Sequence, residues 1–222
     1  MDEMVRTEDL GKIVEMAVCR TYATPFVGPF RYADEMHRVE ALLPRLARLP
    51  DLFPPCRHTA ARGARYDFTT EDTEHLSVKS SKLRTAKVAP QVIGQATAPT
   101  FCERVGIPYT TDEALKVYLQ DHILELLPLL EEHTFDCPNL YYNEARDLMK
   151  LIRETSRIPW ADCVPTWTRP AAEWNNSCTL KLDGVSILEI QFHRANRTNL
   201  AIRWVYDAVL AKFADCFHVQ DL

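Results

Sequence analysis

The hydrophobic periodicity of the chain changes near Gly63, and this change constrains the fold more than any other feature. Before it, apolar residues recur at helical spacing in one segment beginning at Thr7 and in another from about Asp34 to Leu49. After it, the stretches 64–70 and 74–81 are rich in aromatic and β-branched residues and are separated by a short polar stretch. That pattern predicts a β-hairpin. The chain therefore needs both helices and a sheet, and we expect an α/β fold.

The remaining sequence predicts more helices and a second hairpin. Helical patterns cover three further stretches: Gln91 to Gln95, Thr111 to Glu131, and about Asn143 to Thr155. Two apolar runs, 178–182 and 185–193, flank Asp183-Gly184, a dipeptide typical of hairpin turns. From Leu200 onward a strand and a helix both fit the pattern, and we favour the helix.

The length of 222 residues is that of one folding domain. We expect a central mixed β-sheet that contains the 64–70 and 74–81 hairpin and is flanked by helices. In this interpretation residues 1–110 supply the core elements and 111–160 form a helical part. Residues 174–222 then hold the second hairpin, the loop after it and a C-terminal element.

Composition excludes several classes of protein. Hydrophobic residues make up 46% of the chain and charged residues 26%, which is typical of a globular protein and not of a disordered one. No apolar run approaches the roughly 20 residues that cross a bilayer, and the first residues do not resemble an export signal. We therefore expect a cytoplasmic location. Seven widely spaced cysteines without a CxxC pair argue against a disulfide framework and a zinc site, and predict buried thiols beside surface histidines such as His58.

Charge is distributed unevenly along the chain. The formal net charge of −5 argues weakly against bulk-charge binding of nucleic acid. However, residues 57–87 contain seven basic and four acidic side chains, whereas 112–154 contain ten acidic and four basic ones. The protein can therefore present one positive and one negative face.

The first hairpin places three polar side chains on one face. A turn near residues 71 and 72 puts Asp67 opposite Leu76 or Ser77, and Lys79 shares a face with Ser77 because side chains alternate along a strand. A carboxylate and an amine that are brought together in a sheet need either a mutual salt bridge or a function. Phosphodiester cleavage needs a divalent cation on oxygen ligands and a positive charge beside the phosphate. Asp67, the backbone carbonyl of Val78 and Lys79 supply these groups.

These residues resemble the PD-(D/E)XK nuclease superfamily and, within it, the type II restriction endonucleases. The resemblance rests on Asp67 followed after nine residues by Ser77-Val78-Lys79, on the early helix that carries Glu15, and on the run Lys87 to Gln95 after the lysine. It covers about residues 8 to 95. It implies a restriction-endonuclease-like fold, a Mg²⁺ cofactor and double-stranded DNA as the substrate.

The resemblance also assigns roles to individual residues. Asp67 would be the metal ligand, the Val78 carbonyl a second ligand, and Lys79 the residue that orients or deprotonates the attacking water. Ser77 stands where the family usually has Asp or Glu, so one carboxylate is missing. Glu15, at the edge of the apolar stripe of its helix, is the best replacement and could point inward, and Gln91 is a neutral second choice. The alternative is a structural role: a cross-strand salt bridge between Asp67 and Lys79, a solvated Glu15, and surface glutamines.

A second polar group follows the second hairpin. Arg, Asn and Gln side chains read base edges, and His and Thr suit phosphates. This segment resembles several restriction enzymes, in which a loop or a helix N-terminus at this point of the chain enters a DNA groove. The residues expected to contact DNA are Lys82, Arg84, Gln95, His193, Arg194, Asn196, Arg197, Asn199 and Arg203. The alternative for the loop is a polar turn with a helix N-cap. Glu189, on the preceding strand, could join either site.

The resemblance implies a sequence-specific type II restriction endonuclease that is a homodimer, since palindromic targets match two-fold protein symmetry. The apolar side of the 111–131 helix is the expected part of the dimer interface. Three other classes stay open: a degenerate nuclease fold that binds DNA without cutting it, a repair or structure-specific nuclease, and a small-molecule enzyme that uses Lys79.

Overall fold

The computed structural model describes residues 7–61, 64–193 and 200–222. Its α-helices are α1 (Thr7–Thr21), α2 (Met36–Leu46), α3 (Leu49–Leu52), α4 (Ala98–Val105), α5 (Asp112–Asp121), α6 (Ile123–Phe135) and α7 (Tyr206–Lys212). Its strands are β1 (Cys56–His58), β2 (Phe68–Thr70), β3 (His75–Ser81), β4 (Lys87–Val88), β5 (Asn139–Asn143), β6 (Leu148–Glu154), β7 (Pro165–Trp167), β8 (Ser177–Leu182), β9 (Val185–Phe192), β10 (Leu200–Val205) and β11 (Phe217–Asp221). The expected mixed α/β class is confirmed.

The chain divides into two compact units. The first comprises the residues up to Ala86 together with Cys137–Glu154 and His218–Leu222, and the second comprises Lys87–Asp136 and Thr155–Phe217. The first unit contains a six-stranded sheet in the order β1-β2-β3-β5-β6-β11, and the second a five-stranded sheet in the order β4-β10-β9-β8-β7. The expectation of a single domain stays a prediction.

The first sheet is mixed, as the sequence predicts. Strands β3 and β5 pair in parallel, whereas the β1–β2, β2–β3 and β5–β6 pairs are antiparallel. Helix α1 packs on β3 and against α2. The periodic apolar residues of α1 are buried in one core with Leu76 and Leu140 of the sheet: Leu10, Ile13, Val14, Ala17 and Val18. Burial of this apolar stripe fixes which way α1 faces.

The second sheet is antiparallel throughout its described pairs. Asp183 and Gly184 both have positive φ, at 50° and 82°, and they join β8 to β9 as the predicted hairpin turn. One face of this sheet carries the core of the unit, where Trp204 and Ile190 are buried. Among the described residues, no helix is both long and apolar enough to cross a membrane.

The helix predicted over 143–155, the end of the expected helical part 111–160, is wrong. This region is an antiparallel pair of strands, with Asn139 opposite Ile152 and Asn143 opposite Leu148. The turn between β5 and β6 is stabilised locally, because the Asn143 side chain accepts a hydrogen bond from the Arg146 N–H and Asp147 adopts a left-handed conformation. Pairing with a buried neighbouring strand outweighs the weak helical pattern.

Three other predictions are corrected. The chain from Leu200 first forms strand β10, whose residues pair with β9, and becomes helical only at Tyr206. The 111–131 helix is two helices, since α5 ends before His122 and α6 begins after it. Residues 91–95 form turns rather than a helix, because the Gly94 carbonyl accepts a hydrogen bond from the Ile202 N–H, which holds this segment alongside β10.

Candidate active site

Asp67 lies at the point where β2 begins, beside the middle of β3. Its N–H donates to the Leu76 carbonyl at 3.2 Å, and Phe68 pairs with Leu76, so Asp67 stands opposite Ser77, one of the two predicted partners. Its carboxylate Oδ2 accepts a hydrogen bond from the Val78 N–H at 2.7 Å. The described pairing of β2 with β3 involves His75 and Leu76. The Asp67 side chain therefore binds the edge of β3 just beyond this pairing, at Val78.

The electrostatics of Asp67 show which charges surround it. Burial raises the pKa of its carboxyl, and the negative charge of Glu15 raises it further. The positive charges of Lys79 and Lys12 and the Val78 N–H act in the opposite direction and do not cancel the rise. The structure therefore brings Glu15, Asp67 and Lys79 together with Lys12, in a group that we term the carboxylate cluster.

Glu15 points inward, as its position on α1 predicts. The residue is 5% exposed, and its two oxygens accept hydrogen bonds from Lys12 Nζ at 2.9 and 2.7 Å. The Nε2 atom of His58 lies 2.8 Å from Glu15 Oε2. The solvated alternative for Glu15 is thus wrong.

His58 is a residue of this site that sequence reasoning missed. We expected a surface histidine, but it is 3% exposed and lies on β1 with its ring beside Phe26 and Phe68. The signal was present in the alternation of the strand, where Cys56 and His58 are buried and Arg57 is exposed. A three-residue strand is too short for that alternation to stand out in a sequence. All seven cysteines are buried, as expected.

Ser77 and Val78 complete the polar groups of the site. Ser77 is fully buried and its N–H donates to the Pro138 carbonyl. The N–H and C=O of one strand residue point to the same side, so the Val78 carbonyl points toward the Asp67 side, where its N–H is bound.

The donor set fits a hard divalent cation in kind, because it offers carboxylate and carbonyl oxygens. Burial and the negative charge of Glu15 raise the pKa of Asp67, and a bound cation would favour the charged form of this carboxyl. Within 7–61, 64–193 and 200–222, no group of three or more His, Cys, Asp or Glu side chains is arranged to hold a metal ion. The site thus supplies two carboxylates and a carbonyl, with Ser77 in the place of a third acid.

Gln91, the other suggested replacement for the missing acid, belongs to the second unit. It lies in the turn after β4, where its N–H donates to the His133 carbonyl and His133 Nδ1 lies 3.1 Å from its own carbonyl. These bonds tie the turn to the end of α6. Gln95 lies in the same segment and is exposed.

Two of the predicted DNA-contacting residues follow β3 directly. Lys82 is half-buried and Arg84 is exposed, on a loop whose Leu83 carbonyl accepts hydrogen bonds from Ser81 Oγ and Asn143 Nδ2. Asn143 is itself fully buried. The loop that carries the two basic side chains is therefore held in place by the sheet beneath it.

The other predicted contacts belong to the second sheet. Arg203 on β10 donates to Glu189 Oε1 at 2.6 Å and to Gln191 Oε1 at 2.5 Å, and Lys87 donates to the other oxygen of Glu189. We term these four residues, Lys87, Glu189, Gln191 and Arg203, the charged face. The sequence left open which site Glu189 joins, and the structure places it in this group. His193 follows β9 and is half-buried. Arg194, Asn196, Arg197 and Asn199 lie outside the described residues.

Comparison with known proteins supplies one informative match. No family model matches the chain, and no solved structure matches it. The chain is similar to a type II restriction enzyme. That relative is CviAII of Paramecium bursaria Chlorella virus 1, which is 36% identical over 219 residues. The match covers 97% of this chain and 63% of the relative, so the chain spans less than two thirds of the relative's length.

Proposed function

We propose that this chain is a type II restriction endonuclease that cleaves double-stranded DNA at a specific sequence by Mg²⁺-dependent phosphodiester hydrolysis. The observation that carries the proposal is the carboxylate cluster, in which the charges of the buried Glu15 and of Lys79 act on Asp67, whose carboxylate accepts a hydrogen bond from the Val78 N–H of β3. The similarity to CviAII over 97% of the chain agrees with it. We also propose that the protein belongs to the PD-(D/E)XK superfamily and has a restriction-endonuclease-like fold, and the same residues support this.

Asp67, Glu15 and the Val78 carbonyl would hold the Mg²⁺ ion. When bound, the ion supplies Lewis acidity at the phosphate and lowers the pKa of a water molecule. Lys79, on the same strand as Val78, would orient or deprotonate the attacking water and stabilise the negative charge that develops on the phosphate. The Val78 N–H fixes the Asp67 carboxylate, so this group is already oriented before substrate binds. Ser77 is buried and uncharged, so it would position neighbouring groups and would not add a negative charge to the site.

Basic and amide side chains would bind the DNA. Lys82 and Arg84 follow the strand that carries Lys79, and they suit the phosphates next to the cleaved bond. On the charged face, Arg203 carries a guanidinium, the group that can bind guanine through two hydrogen bonds. Gln191 accepts from Arg203 through its oxygen, which leaves its amino group to donate. Gln95 and His193, with Arg194, Asn196, Arg197 and Asn199, complete the predicted contacts. A homodimer, with α5 and α6 at its interface, and a cytoplasmic location also belong to this proposal.

The test uses purified protein and phage DNA, with Mg²⁺ in one series and Ca²⁺ in another. We expect discrete fragments with wild-type protein in Mg²⁺ only, and intact DNA with Lys79→Ala. Lys150→Ala is the matched control. Lys150 lies on the same sheet as Lys79, but its ion pair is with the exposed Asp221 and not with the carboxylate cluster. Intact DNA in every lane would contradict the proposal. A smear without discrete bands would indicate a nuclease without sequence specificity.

A degenerate nuclease fold that binds DNA without cutting it is the second candidate. The observation that favours it is Ser77, a fully buried hydroxyl where the resemblance expects an acid. This candidate predicts a mobility shift with duplex DNA and no cleavage in Mg²⁺ or Mn²⁺. Restored cleavage in Ser77→Asp or Ser77→Glu would then identify the missing carboxylate as the reason.

A further inference from the structure

His58 occupies a closed environment beside the carboxylate cluster. Its side chain is fully buried, and its ring stacks on Phe26 at a centroid distance of 4.3 Å and tilts against Phe68 at 5.0 Å. Aromatic contact on two sides prevents the ring from rotating freely. The direction of both ring nitrogens is therefore set by the fold.

The hydrogen bonds of His58 define its tautomer. The backbone N–H of Val27 lies 2.8 Å from Nδ1, and because an N–H can only donate, Nδ1 must be the acceptor. The ring proton of the neutral imidazole is then on Nε2, which lies 2.8 Å from Glu15 Oε2. His58 therefore donates to Glu15. It is the backbone of the segment after α1 that selects this tautomer.

We infer that His58 is a positioning residue that holds the Glu15 carboxylate toward Asp67 for binding of a divalent cation. The inference rests on the proposed function, since it assigns Glu15 to the metal site. Lys12, the other partner of Glu15, is 40% exposed at its side chain and lies on the same helix, so it follows Glu15 rather than fixing it. His58 comes from strand β1, and its ring is packed against Phe26 and Phe68. It can therefore select one orientation of the carboxylate, as the hydrogen-bond partners of metal-ligating carboxylates do.

Three substitutions separate the two hydrogen bonds of the ring. His58→Gln retains a donor at the position of Nε2, His58→Asn retains an acceptor at the position of Nδ1, and His58→Phe retains ring stacking and neither bond. If His58 acts through Glu15, Gln is the conservative variant and Asn is the disruptive one. If His58 only anchors the segment at Val27, the order is reversed.

The first measurement is Mn²⁺ binding by calorimetry without DNA. We expect His58→Asn and His58→Phe to weaken Mn²⁺ binding about tenfold, and His58→Gln to remain within about threefold of wild type. A double-mutant cycle with Glu15→Gln then tests the route of the effect, and we expect no further loss from His58→Phe in that background. Equal binding by wild type and His58→Asn, or additive losses in the cycle, would overturn the inference. So would wild-type protein that binds no Mn²⁺.

The second measurement is the nitrogen NMR spectrum of the His58 ring in the wild-type protein. We expect a protonated Nε2 and an unprotonated Nδ1, and the opposite tautomer would overturn the inference. Neither measurement requires cleavage. Loss of Mn²⁺ affinity in His58→Asn with no wild-type cleavage of DNA would leave the positioning role standing and reject the proposed function. Normal wild-type cleavage that is unchanged in His58→Asn would reject the positioning role alone.

Discussion

The two sheets of this protein shift the pKa of a half-buried carboxylate in opposite directions. In the carboxylate cluster of the first sheet, burial and the charge of Glu15 raise the pKa of Asp67 despite two nearby lysines. On the charged face of the second sheet, hydrogen bonds and positive charge from Lys87 and Arg203 outweigh burial and lower the pKa of Glu189. In the first group the two lysines do not offset the rise in the pKa of Asp67, whereas in the second the two cations more than offset the effect of burial on the pKa of Glu189.

This difference indicates what each region can bind. A carboxylate whose pKa is raised by burial and by a neighbouring carboxylate also favours a bound cation. The charge of Glu189 is instead compensated by Arg203 and Lys87. The glutamate orients these two cationic side chains for a ligand that approaches the sheet. We therefore propose that the first sheet carries the chemistry and that the second sheet carries recognition of the ligand.

The largest expected effect is on cleavage. Asp67→Asn removes a carboxylate that we assign to the metal, and we expect the cleavage rate to fall by about 10²- to 10⁴-fold, the range typical of a group that acts directly in the reaction. The rate is measured under single-turnover conditions in Mg²⁺. Asp183→Asn, in the hairpin turn of the second sheet and hydrogen-bonded to Lys212, is the control that should leave the rate unchanged. A normal rate in Asp67→Asn would remove Asp67 from the site.

Arg203→Ala tests recognition on the charged face. Loss of a bidentate arginine costs about 1–3 kcal/mol at the base it reads, so we expect specific DNA affinity to fall by about tenfold or more and discrimination against a changed base pair to shrink. Binding is measured in Ca²⁺ with the target duplex and with single-base variants. An equal loss for every sequence would instead indicate that Arg203 contacts a phosphate. Lys181→Ala, on β8 of the same sheet, is the matched control.

Divalent cations are expected to stabilise the fold through the carboxylate cluster alone. A ligand present at ten times its dissociation constant adds about 1.4 kcal/mol to the free energy of unfolding. We therefore expect Ca²⁺ to raise the melting temperature of wild type by a few degrees and of Glu189→Gln by the same amount. It should not raise that of Asp67→Asn. A shift that survives in Asp67→Asn would place the cation elsewhere.

The positions of Asp67 and Glu15 were easier to predict from the sequence than the strands around them. The register of Asp67 against Ser77 follows from a short turn and from alternation along a strand, which are local properties, and the inward direction of Glu15 follows from the helical period. The strand at 148–154 could not be predicted in this way. Its pairing with β5 is a tertiary contact that overrides a local helical pattern.

His58 and Glu189 show a second limit of sequence reasoning. The role of His58 depends on the Val27 N–H and on Glu15, which lie 31 and 43 positions away along the chain. Glu189 could be assigned to the charged face only when β4 and β10 brought Lys87 and Arg203 beside it. Both assignments need the fold, because no local pattern encodes the distant partner.

The smallest expected effects, which are on stability, compare the two carboxylates directly. At neutral pH we expect Glu189→Gln to lower the free energy of unfolding by about 1 kcal/mol, since it removes a charge that two cations stabilise on a partly exposed face. We expect Asp67→Asn to leave the free energy of unfolding unchanged or to raise it, because the raised pKa means that the fold disfavours the charged form. Urea denaturation without divalent cations measures both.

The pH dependence of stability distinguishes the same two residues by its sign. The pKa of Glu189 is lowered in the folded state, so its contribution is present above its ordinary pKa and is lost as the pH falls through the lowered pKa. The pKa of Asp67 is raised, so the folded state binds a proton that the unfolded state releases, and stability falls as the pH rises from its ordinary pKa through the raised one. Relative to wild type, Asp67→Asn should therefore lose this fall with rising pH, whereas Glu189→Gln should lose the decline on acidification. Identical pH profiles for the two variants would show that the sheets do not differ in the way they hold a carboxylate.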